Sequence, residues 1–312
     1  MSKSLIFPGQ GSQRVGMGKD LYENFIVAKD VFESINESIS MNLSKLMFEG
    51  PIEELTMTEN AQPGIMAVSI AILEVLKKEF DMDLKETKFC AGHSLGEYTA
   101  LAATGCLDFR DVAKILKLRG KSMQNAIGEG EGAMAALIGP DITQVKELIK
   151  EIPNDLVCEI ANHNLYDQTV LSGDTEAIDK AINIAKEKKI RAIKLNVSAP
   201  FHCKYMKNTA KDLEIKFNEL KFKKPSIPIV CNFTAEIFKD IDDLKSSLVK
   251  QTYSTVRWYD SICLMLEKGT SSFIEVGYGS TLTNMIKRIK SDRSFETHTI
   301  SNTENIESYF KA

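Results

Sequence analysis

Apolar positions along this 312-residue chain form short continuous runs separated by longer amphipathic stretches. "SLIF" (4–7) reads as a buried strand that stops at Pro8. A helical pattern runs from about Asp20 to Ile39. In "PIEELTMTENAQPGIMAVSIAILEVLKKEF", apolar residues cover every side from Ile65 to Leu76. That predicts a central helix with Pro63 in its first turn. Lys88–Ala91 predicts a strand, followed by a turn and a helix through about Ala103. Asp108 has the chemistry of an N-cap for a helix reaching about Ile127.

The middle of the chain changes rhythm. "GAMAALIG" predicts a strand, "DITQVKELIKEI" a helix, "LVCEIA" and "QTVLSG" strands, "DTEAIDKAINIAKEKK" a helix and "IRAIKLNV" a strand. This is β-α-β-β-α-β, the ferredoxin-like succession. "GEGEG" (128–132) has linker composition. Further on, "IPIVCN" and "SSFIEVG" predict strands and "STLTNMIKRIK" a helix. The fold class is α/β: a discontinuous core at 1–127 and 198–312 carries an inserted α+β subdomain at 128–197.

A formal net charge of −4 and a pI near 5.8 argue against a nucleic-acid partner. No apolar run matches a signal peptide or a membrane span, so the expected location is cytoplasmic. The six cysteines are scattered without C-x-x-C spacing, which predicts reduced core residues and no metal site. "GQGSQR" has Arg14 where a dinucleotide fingerprint needs its third glycine, and no Walker A pattern occurs.

Candidate chemistry centres on "GHSLG" (92–96). A strand leading in and a helix leading out make Ser94 a candidate nucleophile at an elbow, where helix N–H groups favour a developing oxyanion. The alternative is a capping serine at a tight turn. A nucleophilic serine needs a base, and the chain has four histidines. His298 sits in a polar tail, His93 adjoins the serine and His163 lies in the insertion. His202, in "VSAPFHCKYM", is the base by elimination; a packing histidine is the alternative. Val112, Leu116, Arg119 and Met123 share one helix face, so Arg119 interrupts an apolar stripe. A buried guanidinium needs a carboxylate, either from the protein or from a ligand.

The stretches "FPGQGSQ", "NAQPGIMAVSIA", "AGHSLGEYTAL", "LRGKSMQ", "GAMAALIG", "VSAPFH" and "TYSTVRW" occur in an order that resembles the malonyl-CoA:acyl carrier protein transacylases. The same order marks acyltransferase domains of fatty acid and polyketide synthases. The resemblance spans Phe7 to about Arg288 and implies an α/β-hydrolase-like core with a ferredoxin-like insertion. It implies Ser94 as nucleophile and His202 as base, with His202 oriented by the backbone carbonyl of Gln251. It implies Gln10 and Leu95 N–H groups as the oxyanion hole, Arg119 as the anchor of the malonyl carboxylate, and Asn162 and His93 as further substrate contacts. Leu165-Tyr166 and Tyr278 depart from the family pattern.

The implied reaction is ping-pong malonyl transfer from malonyl-CoA to the phosphopantetheine thiol of acyl carrier protein, with no cofactor and in a monomer. A serine esterase or thioesterase is the second reading, discriminated by Arg119; a non-catalytic carrier-binding module is the third, opposed by an intact Ser94 and His202. Carrier proteins are acidic and this chain is net negative, so docking needs a local basic patch. Lys287, Arg288 and Lys290 are one candidate, and Lys189 with Arg191 is another; ordinary solvated charges are the alternative for both.

Overall fold

The structure is a computed structural model that describes residues 2–128, 130–197 and 199–311. Glu129 of the predicted linker and Ser198, the first residue of the returning core segment, lie outside the described residues. Eight strands occur among those described: β1 (Lys3–Phe7), β2 (Thr87–Gly92), β3 (Gly132–Ile138), β4 (Cys158–Leu165), β5 (Gln168–Asp174), β6 (Arg191–Lys194), β7 (Ser272–Val276) and β8 (Glu296–Ile300). They form two four-stranded sheets, ordered β2-β1-β7-β8 and β4-β5-β3-β6. The first is parallel throughout and the second antiparallel throughout.

The parallel sheet explains the continuous apolar runs. A strand covered on both faces has no solvent side to show, and β7 is buried at every residue, including Glu275, whose carboxylate accepts the Leu282 and Thr283 N–H groups. The Thr58–Lys78 helix covers it with residues Asn60–Leu73 all buried, as the all-round apolar pattern predicts. Register matters for function. Phe7 pairs with Gly92, and the His93 N–H donates to the Phe7 carbonyl at 3.0 Å. The Pro8–Gly11 loop and the Ser94 turn therefore leave adjacent parallel strands at their carboxyl ends, where open α/β sheets place their ligands.

In the middle of the chain the predicted β-α-β-β-α-β succession is present. Its helices are Ile142–Ile149 and Thr175–Glu187. Asp141 and Gln144 make a capping box at the first of them. The helices cover one face of the antiparallel sheet, around Ala135, Leu137, Val145, Leu171, Ile178 and Ala181.

Several local expectations change. The helix expected over 20–39 is two, Lys19–Asn24 and Ile26–Ser38. Phe25 between them is extended, and its ring meets Phe80 edge-on at 6.5 Å. Pro63 lies inside its helix as the sixth residue rather than in the first turn; burial of the helix on all sides outweighs the one missing donor. "IPIVCN" is not a strand but makes single bridges, Cys90 with Ile229 and Val230 with Ile237. Pro228 has no N–H to extend the ladder. Helix Phe109–Gln124 ends before Ile127, and Thr281–Ile286 stops short of "KRIK". Asp108 caps the former by accepting from the Arg110 N–H. Strand β8 and helices Lys207–Glu219, Ile241–Gln251, Trp258–Glu267 and Thr303–Lys311 complete the core.

All six cysteines are free; five are buried and Cys263 is partly exposed. No helix among the described residues is long and apolar enough to cross a membrane.

Candidate active site

Ser94 sits between β2 and the Leu95–Ala103 helix with φ 53° and ψ −106°, a region that side-chain-bearing residues avoid. The two glycines make the turn possible. A Cβ on Gly92 would lie 1.9 Å from the Gly96 carbonyl carbon, and one on Gly96 would lie 2.2 Å from the Phe7 oxygen. Asn232 holds the turn from outside: its Oδ1 accepts the Ser94 N–H at 2.8 Å, and its Nδ2 donates to the Gly92 carbonyl at 2.7 Å. The capping alternative for the serine does not hold, because its side chain makes no capping bond to its helix.

Ser94 Oγ and His202 Nε2 are 2.7 Å apart. His202 Nδ1 lies 2.8 Å from the Gln251 carbonyl oxygen. A carbonyl only accepts, so Nδ1 carries the hydrogen and Nε2 faces the serine as an acceptor. His202 is buried. Burial first, then the charge of Arg119, pulls its pKa down to about 3, against the stabilising carbonyl bond. The imidazole is therefore neutral at working pH, the form a general base needs. His163, the competing histidine, is buried on β4 with its Nδ1 3.7 Å from Asp260 and its ring against Tyr259. His298 lies on β8 beside Glu296.

Arg119 is 1% exposed. Its Nη1 donates to Gln62 Oε1 at 2.8 Å, and its Nη2 donates to Ser94 Oγ at 3.0 Å and Gln251 Oε1 at 2.9 Å. Its guanidinium carbon stands 5.1 Å from the Tyr98 ring centre. All three acceptors are neutral oxygens, so the internal salt bridge that periodicity left open is not made among the described residues. Its Nε is buried without a partner among the described residues.

The cleft in front of Ser94 encloses about 820 Å³. Gln10, Gln62, His93, Arg119, Asn162 and His202 all line it. His93 turns its Nε2 to Asn164 Oδ1 at 2.8 Å and packs edge-on against Trp258. The backbone N–H groups of Gln10 and Leu95 have no hydrogen-bond partner among the described residues. Both stand beside the Ser94 turn, Leu95 as the next residue and Gln10 in the neighbouring loop. A tetrahedral intermediate's oxyanion needs donors of this kind.

Neither basic pair lines the cleft. Lys189 and Arg191 are exposed, although β6 leads directly to Leu195, Asn196 and Val197 on the cleft wall. Lys287 is exposed. Arg288 is held by Asp167 at 2.9 and 3.1 Å on the β4–β5 hairpin.

Residues 4–307 match the acyl transferase domain family. The chain belongs to that family. It is 40% identical to the malonyl CoA-acyl carrier protein transacylase of Bacillus subtilis over 310 residues, covering 98% of this chain and 96% of that protein. It is 36% identical to the protein of the same name from Escherichia coli K12 over 287 residues, covering 92% of each. Among solved structures, an acyl-carrier-protein-S-malonyltransferase from Bartonella henselae aligns with TM-score 0.95 at 39% identity, covering 100% of this chain and 99% of that one. A malonyl-transacylase in complex with its type II PKS acyl-carrier protein aligns with TM-score 0.95 at 33% identity, covering 100% and 99%.

The sequence pattern assigns no role to four residues at this site: Gln62 and Glu97, inside "NAQPGIMAVSIA" and "AGHSLGEYTAL"; Asn164, which keeps the family pattern beside Asn162; and Asn232. Two left a signal. Gln62 is a polar residue in a helix that is buried all round, and Glu97 is an acid in the otherwise small and apolar "LGEYTALAA".

Proposed function

We propose that the protein is a malonyl-CoA:acyl carrier protein transacylase. It moves a malonyl group from malonyl-CoA to the phosphopantetheine thiol of acyl carrier protein through a malonyl-serine ester and so supplies fatty acid synthesis. The observation that carries this reading is the buried Arg119 guanidinium 3.0 Å from Ser94 Oγ, in a chain of this family. An esterase gains nothing from a cation aimed at its serine. A thioester with a free carboxylate two carbons from its carbonyl gains both an anchor and a direction of attack.

The steps balance without further reagents. His202 Nε2 takes the Ser94 proton as Oγ adds to the thioester carbonyl. Gln10 and Leu95 N–H groups donate to the oxyanion. Collapse breaks the C–S bond, the thiolate of coenzyme A takes the proton from His202, and malonyl-serine remains. The carrier thiol then gives its proton to His202, attacks the ester and leaves with the malonyl group as Ser94 recovers its proton. The malonyl carboxylate on Arg119 partly cancels the positive charge that depresses His202. Substrate binding thus makes the base stronger when it is needed. His93, fixed on Asn164, and Asn162 shape the cleft beside the acyl group.

The parallel-sheet unit is assigned as an α/β-hydrolase-like core (1–127 and 198–312). The antiparallel unit, with strand order β4-β5-β3-β6, is assigned as a ferredoxin-like insertion (128–197). The protein acts as a cytoplasmic monomer without a cofactor, and the carrier docks on a basic patch at Lys189 and Arg191 or at Lys287 and Arg288. Charge reversal at the true patch raises KM for carrier protein and leaves Ser94 acylation intact; equal loss in both half-reactions contradicts docking there. The whole reading is tested by adding holo carrier protein to the malonylated protein. Malonyl should appear on the carrier at a rate that outruns free malonate release. Hydrolysis to malonate, unaffected by carrier, would establish the esterase instead.

A further inference from the structure

Glu97 is fully buried beside the reacting serine, and the transfer scheme gives it no role. Its Oε2 accepts from Gln251 Nε2 at 2.9 Å and from the Asn232 backbone N–H at 3.1 Å. Both partners turn toward the site. Gln251 Nε2 also donates to the Ser94 carbonyl at 2.9 Å, its Oε1 receives Arg119 Nη2 at 2.9 Å, and its own carbonyl holds His202. Asn232 grips both sides of the Ser94 turn through its side chain. Serine, histidine and arginine are thus all one residue removed from a single carboxylate oxygen.

A glutamine amide has two ends of nearly the same shape, and only its partners decide which way it faces. With Oε2 accepting, the NH₂ end of Gln251 points at Glu97 and the Ser94 carbonyl, which leaves its oxygen for Arg119. Among the described residues Arg119 has no carboxylate partner, so this oxygen, that of Gln62 and Ser94 Oγ are what aim a long, flexible side chain. A direct ion pair would aim it equally well and occupy the fork; a neutral amide leaves the cation available for a substrate carboxylate. Burial raises the Glu97 carboxyl to about 7, against bonds from Gln251, Asn232 and the Cys231 thiol and the charge of Arg119. Oε2 is an acceptor in either protonation state, because Oε1, buried and without a partner among the described residues, takes the proton of the neutral form.

We propose that Glu97 is a positioning residue for substrate selection: its Oε2, acting through Gln251 and Asn232, fixes the direction of the Arg119 guanidinium and the seat of Ser94. The proposal rests on the acyl-transfer reading above.

The experiment compares kcat/KM for Ser94 acylation by malonyl-CoA and by acetyl-CoA in the wild type, Glu97→Met and Glu97→Gln, each first checked by thermal melt. Methionine fills the space without an acceptor oxygen, whereas glutamine keeps one. The malonyl-to-acetyl ratio should fall at least about tenfold in Glu97→Met, the low end for losing one hydrogen bond to a charged group. In Glu97→Gln it should stay within about threefold of wild type. A folded Glu97→Met with the wild-type ratio overturns the proposal, and so does a Glu97→Gln that loses as much as Glu97→Met. If Glu97→Met does not fold, Glu97→Asp, which withdraws the oxygen by one methylene, decides: a lowered ratio supports the proposal and an unchanged one overturns it. A wild-type protein that takes no malonyl group on Ser94 contradicts the parent reading, which distinguishes the two failures.

Discussion

Replacing Arg119 with alanine removes three hydrogen bonds at once, to Gln62, Ser94 and Gln251. Two effects must be separated. The first is structural: buried oxygens of Gln62 and Gln251 lose their donor, at a cost of about 1–3 kcal/mol each, so the variant should melt several degrees lower. The second is functional. A bidentate guanidinium–carboxylate contact in a partly desolvated cleft contributes about 1.5–3 kcal/mol, or roughly one to two powers of ten in preference for malonyl-CoA over acetyl-CoA. The losses differ in kind, because lower stability reduces both reactions alike whereas a lost anchor reduces one. Acetyl transfer should even hold or rise, because the second-largest influence depressing His202 is the Arg119 charge. The assay is the ratio of the two kcat/KM values for Ser94 acylation, below the melting range of the variant. Arg119→Lys should be intermediate at best, because an ammonium cannot reproduce the fork. A folded Arg119→Ala protein with the wild-type ratio would refute the substrate-anchor argument.

His202→Ala should slow acylation by about two to four orders of magnitude while His163→Ala leaves it near wild type, measured by single-turnover mass spectrometry; the reverse ranking would assign the base to His163. Histidine ¹⁵N NMR should show His202 neutral well below its ordinary value of 6.5, because burial pulls it to about 3. By linkage, the stability it contributes is complete above pH 6.5 and is lost as pH falls toward 3; a His202 that titrates near 6.5 would contradict this. Gly92→Ala should destabilise the protein by about 3 kcal/mol or more in chemical denaturation, because its Cβ would meet the Gly96 backbone at 1.9 Å; a near-neutral value would mean that the turn can open.

Where sequence pattern and structure agree, one local cause dominates. Strands β1, β2 and β7 are buried almost throughout, so each carries a short apolar run, Leu5–Phe7, Phe89–Ala91 and Phe273–Ile274, although β7 also buries Glu275. The Ser94 turn shows in sequence because backbone crowding leaves only glycine at 92 and 96. Disagreement begins where distant parts of the chain decide. Phe25 breaks a helical pattern to reach Phe80, fifty-five positions on. Strand β8 pairs with β7 at the sheet edge with mostly half-exposed, polar residues, so no apolar run marks it. Arg119 could be placed on an apolar face, but not given its partners, since Gln62, Ser94 and Gln251 come from three other segments. Asn232 belongs to a stretch that mimics a strand, yet it is the residue that clasps the Ser94 turn.

In the proposed transfer Ser94 carries the acyl group, and mass spectrometry of the protein mixed with malonyl-CoA tests that role most directly. The predicted result is a gain of one malonyl group, mapped to the peptide containing Ser94 and absent from Ser94→Ala. Labelling that persists in Ser94→Ala, or maps to any other residue, would contradict it.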